Sequence, residues 1–233
     1  MKRTFVGLPV LVACFFLSPV SNAQLGGGMN FFKKPNIGDI FHPVVGSGAT
    51  YEQTDKDGSK STIEMAIMSR EDFDGKEAYW MEVGHTEKKS GGLNYAKIQI
   101  AKADFEMHKM IVVMPGSTTP IEMPMNQSAK TKERMQENIE KWHKVGTEPV
   151  VVPAGTFLCD HWAKDDGTED IWASSKVSPM SLVKSSGKNG DTMVLVKTTT
   201  SATEHITGTP QKFDPAMMRQ QMMQQMQQKK NQQ

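Results

Sequence analysis

Cysteine is almost missing from this 233-residue chain: there are two, and only Cys159 lies outside the apolar leader that contains Cys14. A lone thiol in the body of the protein excludes an internal disulfide, so packing and hydrogen bonds must hold the fold. A basic surplus is missing as well. Taking Lys2 and Arg3 away with the leader leaves 25 basic against 26 acidic residues, a net charge of −1. That argues against a nucleic-acid partner, because phosphate binding needs clustered positive charge. The longest hydrophobic run, Phe5 to Val20, is interrupted by Pro9 and is too short for a comfortable membrane span, so no transmembrane segment is expected after the leader is removed. Nucleotide signatures are lacking too: there is no phosphate loop, Rossmann fingerprint or Gly-x-Ser-x-Gly elbow, and Gly26-Gly27-Gly28 follows no strand.

The leader itself gives an address. Lys2 and Arg3 make a basic start, an apolar stretch follows, and Ser21-Asn22-Ala23 is a small-residue cleavage site before Gln24, which together read as an export signal over residues 1–23. The mature chain is therefore expected in the periplasm or outside the cell. A second reading stays open, because Leu11-Val12-Ala13-Cys14 has the form of a lipobox whose cysteine would anchor the protein to a membrane. Against it, the apolar run continues through Phe15, Phe16 and Leu17.

About 210 residues remain after cleavage, enough for one sizeable domain. Residues 24–45 read as an extended arm, 46–210 as the sheet domain and 211–233 as a tail of Met, Gln and Lys. In the domain the pattern has period two: Ile63, Met65 and Ile67, then Tyr79, Met81 and Val83, then Ala96, Ile98 and Ile100 alternate with wetter residues. Asp57-Gly58 and Asp74-Gly75 mark hairpin turns, and Met110–Met114 is a further strand. Asn126–Lys144 is predicted to be a helix, capped by Ser128, with Met135, Ile139 and Trp142 on one face. Strands resume over 150–152, 156–162, 169–173, 181–184 and 193–200, with joints short enough to force antiparallel neighbours. The expectation is an α+β fold, mainly antiparallel β, in which a strongly curved or half-barrel sheet wraps one internal helix.

Candidate chemistry is sparse. Cys159 and His161 share a strand face, but Phe157 and Ala163 share it too, which describes core more than a metal site. Asp165-Asp166 and Glu169-Asp170 sit in or beside turns, where solvated charge is the default, so no enzyme activity and no cofactor are expected. Eighteen methionines, among them Met107-His108-Met110-Met114, Met123-Met125 and Met217 to Met226, leave Cu(I) binding by thioethers as an alternative to adaptable packing. The tryptophans Trp80, Trp142, Trp162 and Trp172, with Met135 and Ile139, are the residues expected to line an apolar space.

Two stretches carry a resemblance. Val152-Pro153-Ala154-Gly155-Thr156-Phe157-Leu158-Cys159, followed by Glu169–Ser174, Lys176-Val177 and Leu182-Val183-Lys184, and also Asp74–Glu82, resemble exported bacterial proteins allied to the LolA/LolB-like lipoprotein-carrier superfamily. The resemblance implies a curved antiparallel sheet around a helix and a periplasmic setting, and it transfers no ligand residue. With it, the expected function is non-catalytic binding of a lipid, a lipoprotein or another apolar ligand within the sheet. The rival expectation is an envelope interaction or scaffold protein, with no ligand cavity, that meets a protein partner.

Overall fold

The computed structural model of the protein describes residues 40–87, 93–103, 106–113, 118–123 and 142–214. Their strands are β1 (Gly48–Thr54), β2 (Lys60–Phe73), β3 (Lys76–Glu87), β4 (Leu93–Ala101), β5 (Met107–Val113), β6 (Pro120–Met123), β7 (Trp142–Val152), β8 (Gly155–Lys164), β9 (Glu169–Ala173), β10 (Leu182–Gly187), β11 (Thr192–Thr199) and β12 (Gln211–Lys212). They form one open 12-stranded sheet in the order β12-β6-β5-β4-β3-β2-β1-β11-β10-β9-β8-β7. Two meanders, β1 to β6 and β7 to β11, are joined by antiparallel pairing of β1 with β11. Every pairing is antiparallel except the two-residue contact of β12 with β6.

The alternation read from the sequence positions the core. Ala49 and Tyr51 of β1, Met65 and Ile67 of β2, Tyr79 and Met81 of β3, Ile98 and Ile100 of β4, and Met110 and Val112 of β5 are buried. The registers Met65↔Val83, Met81↔Ile98 and Ile98↔Met110 place these residues on one inner face. Across the joint, Tyr51↔Leu195 carries that face into the second meander, where Met193, Ser185, Ile171 and Trp162 continue it. Tyr51 is fully buried, its hydroxyl donates to the Leu182 carbonyl at 3.2 Å, and burial raises its phenol above the ordinary range.

The expected α+β architecture is overturned. The elements of the described residues are all strands of a single sheet, with no helix among them for it to wrap. Most of the predicted helix, residues 126–141, lies outside the described residues; Trp142, His143 and Lys144, assigned to its end, begin β7. The helical stripe ending at Trp142 was misleading because β7 lacks the apolar alternation of a half-buried strand. It is mostly exposed and is interrupted by an irregularity between Lys144 and Gly146. Segments outside the strands join the apolar core: Phe41 packs edge-on against Tyr79 with ring centroids 6.0 Å apart, and Val177 and Met180 are buried in the same cluster. The His42 amide donates to the Pro179 carbonyl (2.9 Å), tying the first of these segments to the second. At the far end the β7–β8 turn folds back, and the Ala154 amide donates to the Leu195 carbonyl at 3.4 Å.

Candidate functional site

The register separates the four tryptophans expected to line one space. Trp162 pairs with Ile171 and continues the inner face of the first meander, whereas Trp172 pairs with His161 and Lys184 on the opposite face, half-buried against core residues. Trp80 pairs with Gln99, on the other side of its strand from Met81 and so also on the outer face. Trp142 is buried opposite Lys164 at the start of β7, and its indole nitrogen has no hydrogen-bond partner. Met135 and Ile139 lie outside the described residues. The methionines divide as well: Met110 and Met123 are paired and buried on the inner face, whereas Met114, Met125 and the tail methionines lie outside the described residues.

On the face of the second meander opposite Trp162, four strands contribute one row. His161 of β8 stacks on Trp172 of β9 (4.5 Å, 17°), and the Lys184 ammonium of β10 lies 4.8 Å from the centre of the same indole. The Trp172 indole N–H donates to Glu148 Oε1 of β7 at 2.6 Å. The two ring nitrogens of His161 face Glu148 Oε1 (3.3 Å) and Asp170 Oδ1 (3.0 Å). The Cys159–His161 pair singled out in the sequence is thus divided between roles. Cys159 is fully buried, and burial pushes its thiol up to about 11, with Asp160 and Glu148 adding to the shift. Asp160 turns to Lys144 (2.7 Å) and Thr147 (2.7 Å), whose hydrogen bonds hold its carboxyl below the usual carboxylate range.

The most fully built polar site lies on the outer face of the first meander, where the sequence reading placed only a wetter strand face. Glu82 is 2 % exposed although it sits opposite the core. Its two oxygens accept from the His205 amide (2.9 and 3.0 Å), the Ile206 amide (2.7 Å) and face His205 Nδ1 (3.0 Å). These donors belong to the segment between β11 and β12, which passes over the outer side of β3 and β4. The imidazole of His205 lies flat on Tyr95 (3.9 Å, 8°), and the Tyr95 hydroxyl donates to Glu64 Oε2 at 3.1 Å. Burial, reinforced by Glu64 and Glu82, raises the Tyr95 phenol above its ordinary range. Gly84 makes the arrangement sterically possible, since a Cβ there would stand 2.4 Å from Tyr95 Cε1. Lys97 pairs with Glu204 and lies 5.5 Å from the centre of the Trp80 ring. The site fastens one part of the chain to another, and no local sequence pattern announces it because its halves are more than a hundred residues apart.

No protein-family model matches the chain, and no curated protein matches it. Among solved structures, a candidate lipoprotein from Parabacteroides distasonis ATCC 8503 is similar at 16% identity, over 68% of this chain and 98% of that one, with a TM-score of 0.38. A candidate exported protein with a YmcC-like fold from Bacteroides fragilis NCTC 9343 is similar at 14% identity, over the same shares, also with a TM-score of 0.38. Likenesses this slight assign neither family nor function, and the implied kinship with lipoprotein carriers gains no support from them.

Proposed function

We propose that this is an exported, non-catalytic envelope protein that acts by engaging a partner at its surface and not by carrying a ligand inside its sheet. One observation carries the choice between the two expectations: the chain supplies its own filling for the apolar core. Phe41, Val177 and Met180, from segments flanking the strands, are buried in the cluster that the inner face forms. A sheet that shielded an acyl chain would gain about 0.8 kcal/mol per buried methylene. Here that gain is already taken by side chains of the protein. Export rests on the leader, Lys2 to Ala23.

A surface role is also supported by the β7–β8 hairpin. Val151 and Leu158, 79% and 64% exposed, stand on one side of it with Pro149, which pairs with Leu158, while Val150 and Phe157 pack toward the core on the other. The test is native mass spectrometry of the mature protein released gently from the periplasm, before and after addition of phospholipid vesicles. A clean apo mass that stays apo is expected. Co-purifying or acquired lipid would overturn the proposal and restore the lipid-carrying reading.

A further inference from the structure

The segment between β11 and β12 is built unlike the sheet it crosses. From Thr200 to Lys212 only Ile206 is buried, and the remaining residues are exposed or half-exposed. Its fastening is mainly polar: the Glu82 carboxylate on two consecutive amides and an imidazole, the stack of His205 on Tyr95, the Lys97–Glu204 ion pair and the Ala202 amide on the Gly46 carbonyl (2.7 Å), with Phe213, just beyond the segment, packed against the core. At its far end β12 holds β6 through the registers Gln211↔Ile121 and Lys212↔Glu122, and both β12 residues are exposed. Contacts of this kind are exchanged for contacts with water when they part, so breaking them exposes little apolar surface beyond Ile206 and the stacked face of Tyr95. The core lies on the other face of the same strands, since Met81 and Val83 flank Glu82 and point inward. Removing the segment from the outer face therefore leaves the inner packing in place.

We propose that Thr200–Lys212 is a strap that opens as a unit while the sheet beneath remains folded. Opening uncovers two surfaces together: the outer row of Trp80, Glu82, Tyr95 and Lys97, and the backbone groups of β6 that β12 now pairs. A strand edge laid bare in this way is a template for a further strand. The closed strap keeps that edge covered. The opening follows from how the strap is fastened and does not depend on which partner the protein meets.

Amide hydrogen exchange of the full chain under native conditions tests this. The His205 and Ile206 amides are expected to exchange at least about a hundredfold faster than those of Met81 and Ile98, with no dependence on sub-denaturing urea, as local opening requires. Glu82→Gln should speed the two strap amides roughly tenfold or more and leave Met81 and Ile98 unchanged, because it weakens charge-assisted bonds made only by the strap. Glu204→Gln, at an exposed position, provides the second variant should Glu82→Gln fold poorly, with a smaller acceleration confined to the same amides. Strap amides that exchange at the core rate with the core's urea dependence would overturn the proposal. So would a variant that speeds strap and core alike.

Discussion

Gly84→Ala is the most discriminating substitution for the outer-face site. The new Cβ would stand 2.4, 2.8 and 3.2 Å from Tyr95 Cε1, Cδ1 and Cζ, well inside the roughly 3.5–4.0 Å separation of carbons in contact. The obstacle is a ring fixed on both sides, by its hydrogen bond to Glu64 and by the His205 stack, so it cannot shift without giving up one of them. Overpacking of this sort costs about 1–3 kcal/mol, and the lost ring pair adds about 0.5–1.5 kcal/mol. Against this, removing a glycine from the unfolded chain stabilises by about 0.4–1 kcal/mol. The net expectation is a loss of about 1–3 kcal/mol, or roughly 2–12 °C in Tm for a chain of this length. In a Tyr95→Ala background the clash is gone and the same substitution should be neutral or stabilise by up to about 1 kcal/mol. Urea melts followed by tryptophan fluorescence on the four members of this cycle give the coupling directly. If Gly84→Ala costs the same in both backgrounds, or nothing in either, Tyr95 is not packed against Gly84 and the reasoning fails.

Four further outcomes follow from the described contacts. Leu195→Ala, at a fully buried position, should cost about 2–5 kcal/mol, whereas Leu158→Ala on the exposed side of the hairpin should stay within about 0.5 kcal/mol; urea midpoints at fixed pH compare the two. Cys159 should resist alkylation by iodoacetamide at pH 8 until the protein is unfolded, since burial keeps its thiol protonated up to about 11; rapid labelling of the native state would contradict its placement. The same shift makes the folded state bind a proton that the unfolded state loses near pH 9, so stability should fall as pH rises from about 9 toward 11, with the slope reduced in Cys159→Ala. Asp160 acts with the opposite sign. Its carboxyl is held low by Lys144 and Thr147, so its contribution is complete above the unfolded value of about 3.9 and is lost as pH falls through the folded value. Asp160→Asn should therefore lessen the drop in urea midpoint between pH 5 and pH 3.

Period two was readable wherever one face of a strand meets the core and the other does not. Ile63, Met65 and Ile67, Tyr79, Met81 and Val83, and Ala96, Ile98 and Ile100 are legible for that reason, and their registers put all nine on the inner face. The turns at Gly58 and Gly75 were legible because both need a positive φ, 77° and 75°. β7 was not legible: a mostly exposed strand with an irregularity beside Gly146 has no alternation to detect, and the apolar spacing leading to Trp142 fitted a helix. The tryptophans show a different limit. Which face each one takes depends on inter-strand register and on irregularities such as that between Leu182 and Lys184, and neither is written in local spacing. Glu82 was visible as the polar partner in an alternating strand, but its burial is caused by residues 205 and 206 arriving from the far end of the chain.

The seam between β1 and β11 sets an order of events. Gly48 pairs with Thr199 and Thr54 with Thr192, so two neighbouring interior strands of the sheet are drawn from nearly opposite ends of the described sequence. A chain made from its N-terminus can close the β1–β6 meander from local contacts, but β1 then keeps one row of backbone groups unpaired until residues 192–199 emerge. For that interval the nascent protein presents an interior strand as an exposed edge, the feature most prone to pairing with the wrong partner. Its vulnerability during synthesis is therefore concentrated at a place that, in the finished molecule, is among the best protected.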